Sequence, residues 1–168
     1  MILIALGANL SGPAGSPVAQ LEAALGALEG RGITVLRRSR WWRSPAWPDP
    51  ADPAFVNGVA ALETALAPAA LLAELHAIEA QLGRRRGRPN APRSLDLDLL
   101  DHRGVVSDGG PGALVLPHPR LTTRAFVLLP LRDVAAAWRH PVSGLDVTAL
   151  IAALPPDHGT EPLDAASE

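Results

Sequence analysis

The segment Ser94-Leu95-Asp96-Leu97-Asp98-Leu99 alternates polar and apolar residues, the pattern of a half-buried strand. Residues two apart on a strand point to the same side. Asp96 and Asp98 therefore face one way together, and Leu95, Leu97 and Leu99 face the other. Their Cα atoms are expected roughly 7 Å apart. That spacing suits two carboxylates sharing a pair of Mg²⁺ ions, because magnesium takes one or two protein carboxylates and completes its shell with waters and phosphate oxygens. Taken alone, a solvated strand face accounts for the pair as well.

The preceding loop shifts the balance. Arg84, Arg85, Arg86, Arg88 and Arg93 lie close together with no acid among them. A cationic loop feeding a di-acid strand is a place where guanidinium forks grip phosphate oxygens while metal ions neutralise the rest. A solvated basic loop, or one that touches nucleic acid, would read the same way. Glu79 sits on a helix one turn before this loop, within reach of a nucleotide or a metal-bound water, although helical spacing alone makes it an exposed carboxylate. Pro117-His118-Pro119 holds a histidine between two prolines. His118 and the nearby Arg124 could both meet a phosphate chain. Phe55 and Phe126 are the only phenylalanines, and tyrosine is absent. Each lies beside a polar position, Asn57 and Arg124. Two rings can hold a flat heteroaromatic ligand, and an asparagine amide offers a donor and an acceptor to its edge. Core packing is the alternative for either ring.

Composition narrows the chemistry. All 15 basic residues are arginine, so neither a P-loop lysine nor a protein-kinase lysine exists. Cysteine is absent, which excludes disulfides and thiolate metal sites. The other histidines show no zinc-ligand spacing. A formal net charge of -2 gives no general field for nucleic acid. The apolar runs are short of a bilayer span and the N-terminus lacks a signal-peptide pattern, so no membrane association and a cytoplasmic location are expected.

These side chains need elements to position them. Ile2–Leu6 reads as a buried strand. Ser16 caps a helix opened by Pro17, with Val18, Leu21, Leu25 and Leu28 on one face. Ile33–Trp42 reads as a second strand, with residues 44–54 a proline-rich loop after it, and Phe55–Leu66 as a third strand. Pro68 opens a helix with Leu71, Leu75, Ile78 and Leu82 on one face and Gly83 as its stop. Ser94–His102 is the fourth strand. Leu114–Leu116 could be a short further strand, Pro117–Pro130 reads as a proline-punctuated stretch, and Asp146 caps a helix over Val147–Leu154. The order strand, helix, strand, strand, helix, strand predicts an α+β ferredoxin-like sandwich, an antiparallel sheet with helices on one face. A single domain over residues 1–154 is expected, with an acidic tail over 155–168 that is disordered.

Several segments together resemble the 6-hydroxymethyl-7,8-dihydropterin pyrophosphokinase family. They are Ile4-Ala5-Leu6-Gly7-Ala8-Asn9-Leu10, Phe55-Val56-Asn57, Ile78-Glu79 with Gly83-Arg84, Pro92-Arg93-Ser94-Leu95-Asp96-Leu97-Asp98, Pro117-His118-Pro119, and Arg124-Ala125-Phe126-Val127 with Pro130-Leu131. Their order and spacing hold over about residues 1–150. The resemblance implies transfer of pyrophosphate from ATP to the hydroxymethyl group of the pterin, giving the pterin diphosphate and AMP in folate biosynthesis. It implies two Mg²⁺ on Asp96 and Asp98, with Arg84 and Arg93 as catalytic, phosphate-binding residues of a mobile loop. Glu79, His118 and Arg124 match nucleotide-side positions. Phe55 and Phe126 match the rings around the pterin, and Ser44, Pro45, Ala46 and Asn57 its hydrogen-bonding edge. A monomer is expected, with ATP and the pterin as partners and no nucleic acid. The chain departs from the family where Asn90 stands nearest a loop tryptophan, where Phe55 replaces a common tyrosine, and where Trp47 replaces an aliphatic residue. Two other readings of the residues are an RNA-binding module of the same fold and a metal-dependent nuclease.

Overall fold

A computed structural model describes residues 1–84, 92–110 and 114–163. Arg85, Arg86, Arg88 and Asn90 lie outside the described residues. The elements are β1 (Ile2–Ala8), α1 (Pro17–Glu29), β2 (Thr34–Arg38), β3 (Trp42–Ser44), β4 (Phe55–Glu63), α2 (Pro68–Gln81), β5 (Asp96–His102), α3 (Ala125–Ala135), α4 (Val147–Ala152) and β6 (Glu161–Pro162). The sheet is antiparallel in every pairing, in the order β5-β1-β4-β3-β6, with β2 also on β4.

Local chemistry explains the helix ends. Ser16 Oγ accepts from the Ala19 amide and Pro17 opens α1, one of the four donors a helix start leaves unpaired. Asp146 caps α4 in the same way, through Ala149. Gly83 follows α2 at φ +84°, where a side chain would be strained.

The alternation of the strands sorts the core into two layers. Ile2, Ile4 and Leu6 of β1, Ala60 and Leu62 of β4, and Leu97 and Leu99 of β5 pack with Leu21, Leu25 and Leu28 of α1 and Leu71, Leu75 and Ile78 of α2. The opposite face carries Leu3, Val59, Ala61 and Leu100, which pack with Val127, Leu128, Leu131 and Val134 of α3 and with Val147 and Leu150 of α4. The ferredoxin-like sandwich is thus present with α1 and α2 on one face, but the expectation of helices on that face alone is corrected: α3 and α4 cover half of the other. The reason is the apolar stripe of α3, which reads in sequence as a broken stretch because Pro130 lies inside it. An internal proline costs a helix about 3 kcal/mol. Burying several leucine and valine side chains, each worth about 1.5–3 kcal/mol, outweighs that.

Two further expectations are revised. The strand over Ile33–Trp42 is two strands, broken at Ser39: its amide still donates to the Val59 carbonyl, but its hydroxyl, not its carbonyl, accepts from the Val59 amide and donates to the Arg40 carbonyl. The tail is not disordered over residues 155–163. Glu161 and Pro162 pair with Arg43 and Trp42 along the open edge of β3, the Leu163 amide donates to the Trp41 carbonyl, and Leu163 packs against the main core. An acidic residue opposite an arginine and a leucine onto the core make a strand from a sequence whose average polarity suggests none. Leu116 forms only an isolated bridge with Ser107.

Candidate active site

The half of the second face that α3 and α4 leave open carries the chemistry. Ala5 and Gly7 of β1, Phe55 and Asn57 of β4, and Asp96 and Asp98 of β5 share its floor, as the two-residue strand period requires. Gly7 pairs with Asn57 on one side and Asp96 on the other. A Cβ there would lie 3.3 Å from Asn57 Oδ1 and 4.0 Å from Asp96 Cβ. The glycine therefore keeps the floor open between the neutral and the charged halves. The cleft encloses about 640 Å³, the size of a small-molecule site.

At the charged end, Asp96 forms ion pairs with two guanidiniums, and accepts a hydrogen bond from that of Arg93. Arg84 Nη1 lies 2.8 Å from its Oδ1, and Arg93 Nη1 lies 3.0 Å from its Oδ2. Asp98 is approached from the other side by Arg124 Nη1 at 3.7 Å and His118 Nε2 at 3.8 Å. Burial, and then the charge of Asp96, push the Asp98 carboxyl above its ordinary value. Burial likewise lowers His118, against the pull of Asp98. Burial and then Arg120 lower Arg124. Two carboxylates on one side of a strand are hard oxygen donors that suit magnesium. Among the described residues no cluster of three or more metal-ligating side chains occurs, so a cation here would complete its shell from waters and its own phosphate.

At the neutral end, Asn57 Nδ2 donates 2.9 Å to Ser44 Oγ, both side chains being buried. This bond leaves the Asn57 carbonyl oxygen to face the cleft floor near Gly7. Phe55 and Phe126 line the same cleft from β4 and from the start of α3, and the Arg124 guanidinium stacks 5.3 Å from the Phe126 ring centre.

The expected residues thus converge, with three exceptions. Ala46, Glu79 and His118 do not line the cleft wall. His118 stands behind Asp98. Glu79 is only 4% exposed, against the exposed helix carboxylate that spacing suggests. Its Oε1 accepts from the Leu97 amide at 2.7 Å, between the two aspartates, and also pairs with Arg84.

Other residues matter that spacing alone does not single out. Asn9 Oδ1 accepts from the Arg93 amide at 2.7 Å, while its Nδ2 donates 2.9 Å to the Pro53 carbonyl. It thus ties the end of the arginine loop to the end of the loop that follows β3. Gln20 is fully buried, and its Nε2 reaches the carbonyls of Leu82 at 2.9 Å and Ser94 at 3.4 Å, on both stems of the arginine loop. A polar residue at a core position of a helix was the available signal. Trp47, Arg120 and Thr123 also line the cleft.

A lysine-free cleft with paired acids facing guanidiniums at one end, and rings with an amide at the other, on a ferredoxin-like sheet, has the chemistry to suit a phosphorylated group and a flat heterocycle side by side. The comparisons agree. Residues 3–136 match the family model of 7,8-dihydro-6-hydroxymethylpterin-pyrophosphokinase. A 2-amino-4-hydroxy-6-hydroxymethyldihydropteridine pyrophosphokinase of Pseudomonas aeruginosa is 43% identical over 159 residues, covering 92% of this chain and 91% of that protein. A folic acid synthesis protein of Pneumocystis carinii is 34% identical over 96% of this chain, which spans 21% of its length. A pyrophosphokinase of Synechocystis is 41% identical over 71% of this chain and 60% of its own length. A crystal structure of Plasmodium falciparum HPPK-DHPS aligns with a TM-score of 0.63 at 14% identity, over 90% of this chain and 40% of that one, which bears on the fold alone. The chain belongs to the 7,8-dihydro-6-hydroxymethylpterin-pyrophosphokinase family of folate biosynthesis.

Proposed function

We propose that this chain uses ATP as donor and transfers its terminal pyrophosphate to the hydroxymethyl oxygen of 6-hydroxymethyl-7,8-dihydropterin, with AMP as the second product. The observation that carries the reading is the placement of Asp96, Asp98, Arg84, Arg93 and Arg124 in one cleft with Phe55, Phe126 and Asn57. The pterin lies between the two rings, its edge toward Asn57 and Ser44. Its hydroxymethyl arm then points along the floor, past Gly7, toward the aspartates. A bond forms between that oxygen and the β-phosphorus, the bond from the β-phosphorus to the oxygen bridging to AMP breaks, and the hydroxyl proton is released to solvent. The work of the side chains is alignment and charge compensation. Arg84 and Arg93, now held by Asp96, can turn their donors onto phosphate oxygens when the nucleotide arrives. Arg124 serves from the opposite wall. Asp96 and Asp98 would hold two Mg²⁺, which when bound supply Lewis-acid neutralisation of the polyphosphate.

Among the described residues the cleft-lining side chains named above all come from one chain, in keeping with a proposed monomer. Among the described residues no helix is long and apolar enough to cross a membrane, in keeping with a proposed cytoplasmic location. Incubation with ATP, Mg²⁺ and the reduced pterin alcohol tests the reading. AMP and pterin diphosphate in equal amounts are expected. Release of ADP would indicate a different phosphotransferase, and no turnover with retention of RNA would favour the binding module.

A further inference from the structure

The loop after β3 carries Pro45 and Trp47 into the cleft wall, so its root decides where that wall stands. At its far end, the loop is fixed by Asn9 on the Pro53 carbonyl. At the near end, the contact comes from a part of the chain remote in sequence and beyond the residues that match the family model, which end at 136. Gly159 adopts φ +65°, and a Cβ built on it would lie 3.2 Å from Pro45 Cγ and 3.3 Å from Pro45 Cδ. The turn that brings Gly159 there is held by its neighbours. The Thr160 amide donates 3.0 Å to His158 Nδ1, and Thr160 is 8% exposed. Glu161 and Pro162 then pair with β3 itself, the strand that ends in Ser44. The same short strand therefore has the substrate-edge residue Asn57 on one side, bonded through Ser44, and the C-terminal segment on the other.

We propose that residues 158–163 form a strap that positions the substrate wall, with Gly159 as the positioning residue: backed against Pro45, it sets where Pro45 and Trp47 stand over the bound pterin. This rests on the function proposed above. Gly159 does not itself line the cleft. Its effect passes through Pro45, and the absence of a side chain permits both the left-handed backbone and the close approach.

Gly144 separates these two properties. It has nearly the same backbone, φ +70°, with nothing within 4 Å of an added Cβ. Gly159→Ala and Gly144→Ala in the full-length chain should therefore both lower the denaturation midpoint, since both place alanine in the same strained region, with Gly159→Ala lowering it at least as much because of the Pro45 contact. Only Gly159→Ala is expected to raise the KM for the pterin, by about threefold to tenfold, because small misplacements of a positioning group carry large consequences. The KM for ATP should stay unchanged in both. Pro45→Ala in the Gly159→Ala background removes the atoms that the new methyl meets, so the second substitution should cost less there than in the wild type. Pterin binding is also measured by calorimetry without ATP, so that the strap and the reaction are judged apart. Binding weakened by Gly159→Ala and not by Gly144→Ala supports the strap whether or not turnover occurs, whereas absence of turnover by the wild type counts against the reaction alone. Equal pterin affinity in the two glycine variants overturns the strap while leaving the reaction standing. No pterin binding by the wild type, either alone or with Mg²⁺ and a non-hydrolysable ATP analogue, overturns both.

Discussion

At the neutral end of the cleft the side chains are bonded to one another, whereas at the charged end they are bonded to the groups they must release. Asn57 and Ser44 share a buried hydrogen bond between adjacent strands, and nothing in that pairing opposes a ligand. Asp96 is held between Arg84 and Arg93, and Asp98 faces Arg124 and His118. A phosphate chain and its cations must exchange these contacts for their own. The neutral end is thus a preformed recognition surface, and the charged end is a set of ion pairs poised for exchange. Preformed contacts mainly set binding, while groups that meet developing charge mainly set rate. Substitutions at the two ends should therefore separate KM from kcat.

The largest effect is expected from Asp98→Ala or Asp96→Ala. Either removes one of the paired oxygen donors and should lower kcat by roughly 10³-fold or more, beyond the loss of a single charge-stabilising hydrogen bond. Thermal unfolding should show the fold intact, because neither side chain contributes to either core layer. A variant that turns over at the wild-type rate would remove the charged end from the chemistry. Next comes Arg93→Ala, which should lower kcat by about 10²-fold with little change in pterin affinity by calorimetry. Loss of pterin affinity at unchanged turnover would place Arg93 at the neutral end instead. At that end, Phe55→Ala should raise the pterin KM roughly tenfold, as loss of one ring face predicts, while the ATP KM holds. A parallel loss in both constants would mean that the two ends are coupled.

How much of this contrast can be read from sequence depends on the kind of contact. The charged end is legible because a two-residue period fixes the common direction of Asp96 and Asp98, and because Leu95, Leu97 and Leu99 declare which face is buried. The first and second helices are legible from their apolar stripes and prolines. Glu79 is not. Its helical position says only that it lies beside Ile78, and its burial depends on a partner amide, Leu97, whose approach is a product of tertiary packing. The same holds for Asn9 and Gln20, whose partners are backbone carbonyls and amides far along the chain. Backbone groups are identical at every residue, so no residue type announces such a bond. Pro130 misleads in the opposite direction. A local rule against helix is overridden by burial that only the folded sheet supplies. The strap over residues 158–163 escapes for a similar reason, since its strand exists only because the edge of β3 is available.

Glu79 sharpens the comparison most finely, since it stands beneath the charged end without entering the cleft. Burial raises its carboxyl above the ordinary value of 4.5, against the lowering influence of the Leu97 amide and Arg84. A carboxyl whose folded value is raised takes up its proton earlier in the folded state than in the unfolded chain as pH falls. The resulting stabilisation is fully present below the unfolded value and is lost as pH rises through the folded one. Glu79→Gln keeps an oxygen for the Leu97 amide, removes the titration and leaves Arg84 its contact with Asp96. The stability advantage of the wild type over the variant should therefore shrink as pH rises from below 4.5 through the folded value. At neutral pH the two should differ by no more than about 1 kcal/mol, the net worth of an ordinary hydrogen bond. Urea unfolding of both proteins at a series of pH values measures this directly. A variant several kcal/mol less stable at neutral pH, with the gap widening upward, would mean that Arg84 and Leu97 more than offset the burial. Glu79 would then belong with the ion pairs that hold the charged end rather than with the packed layer under it.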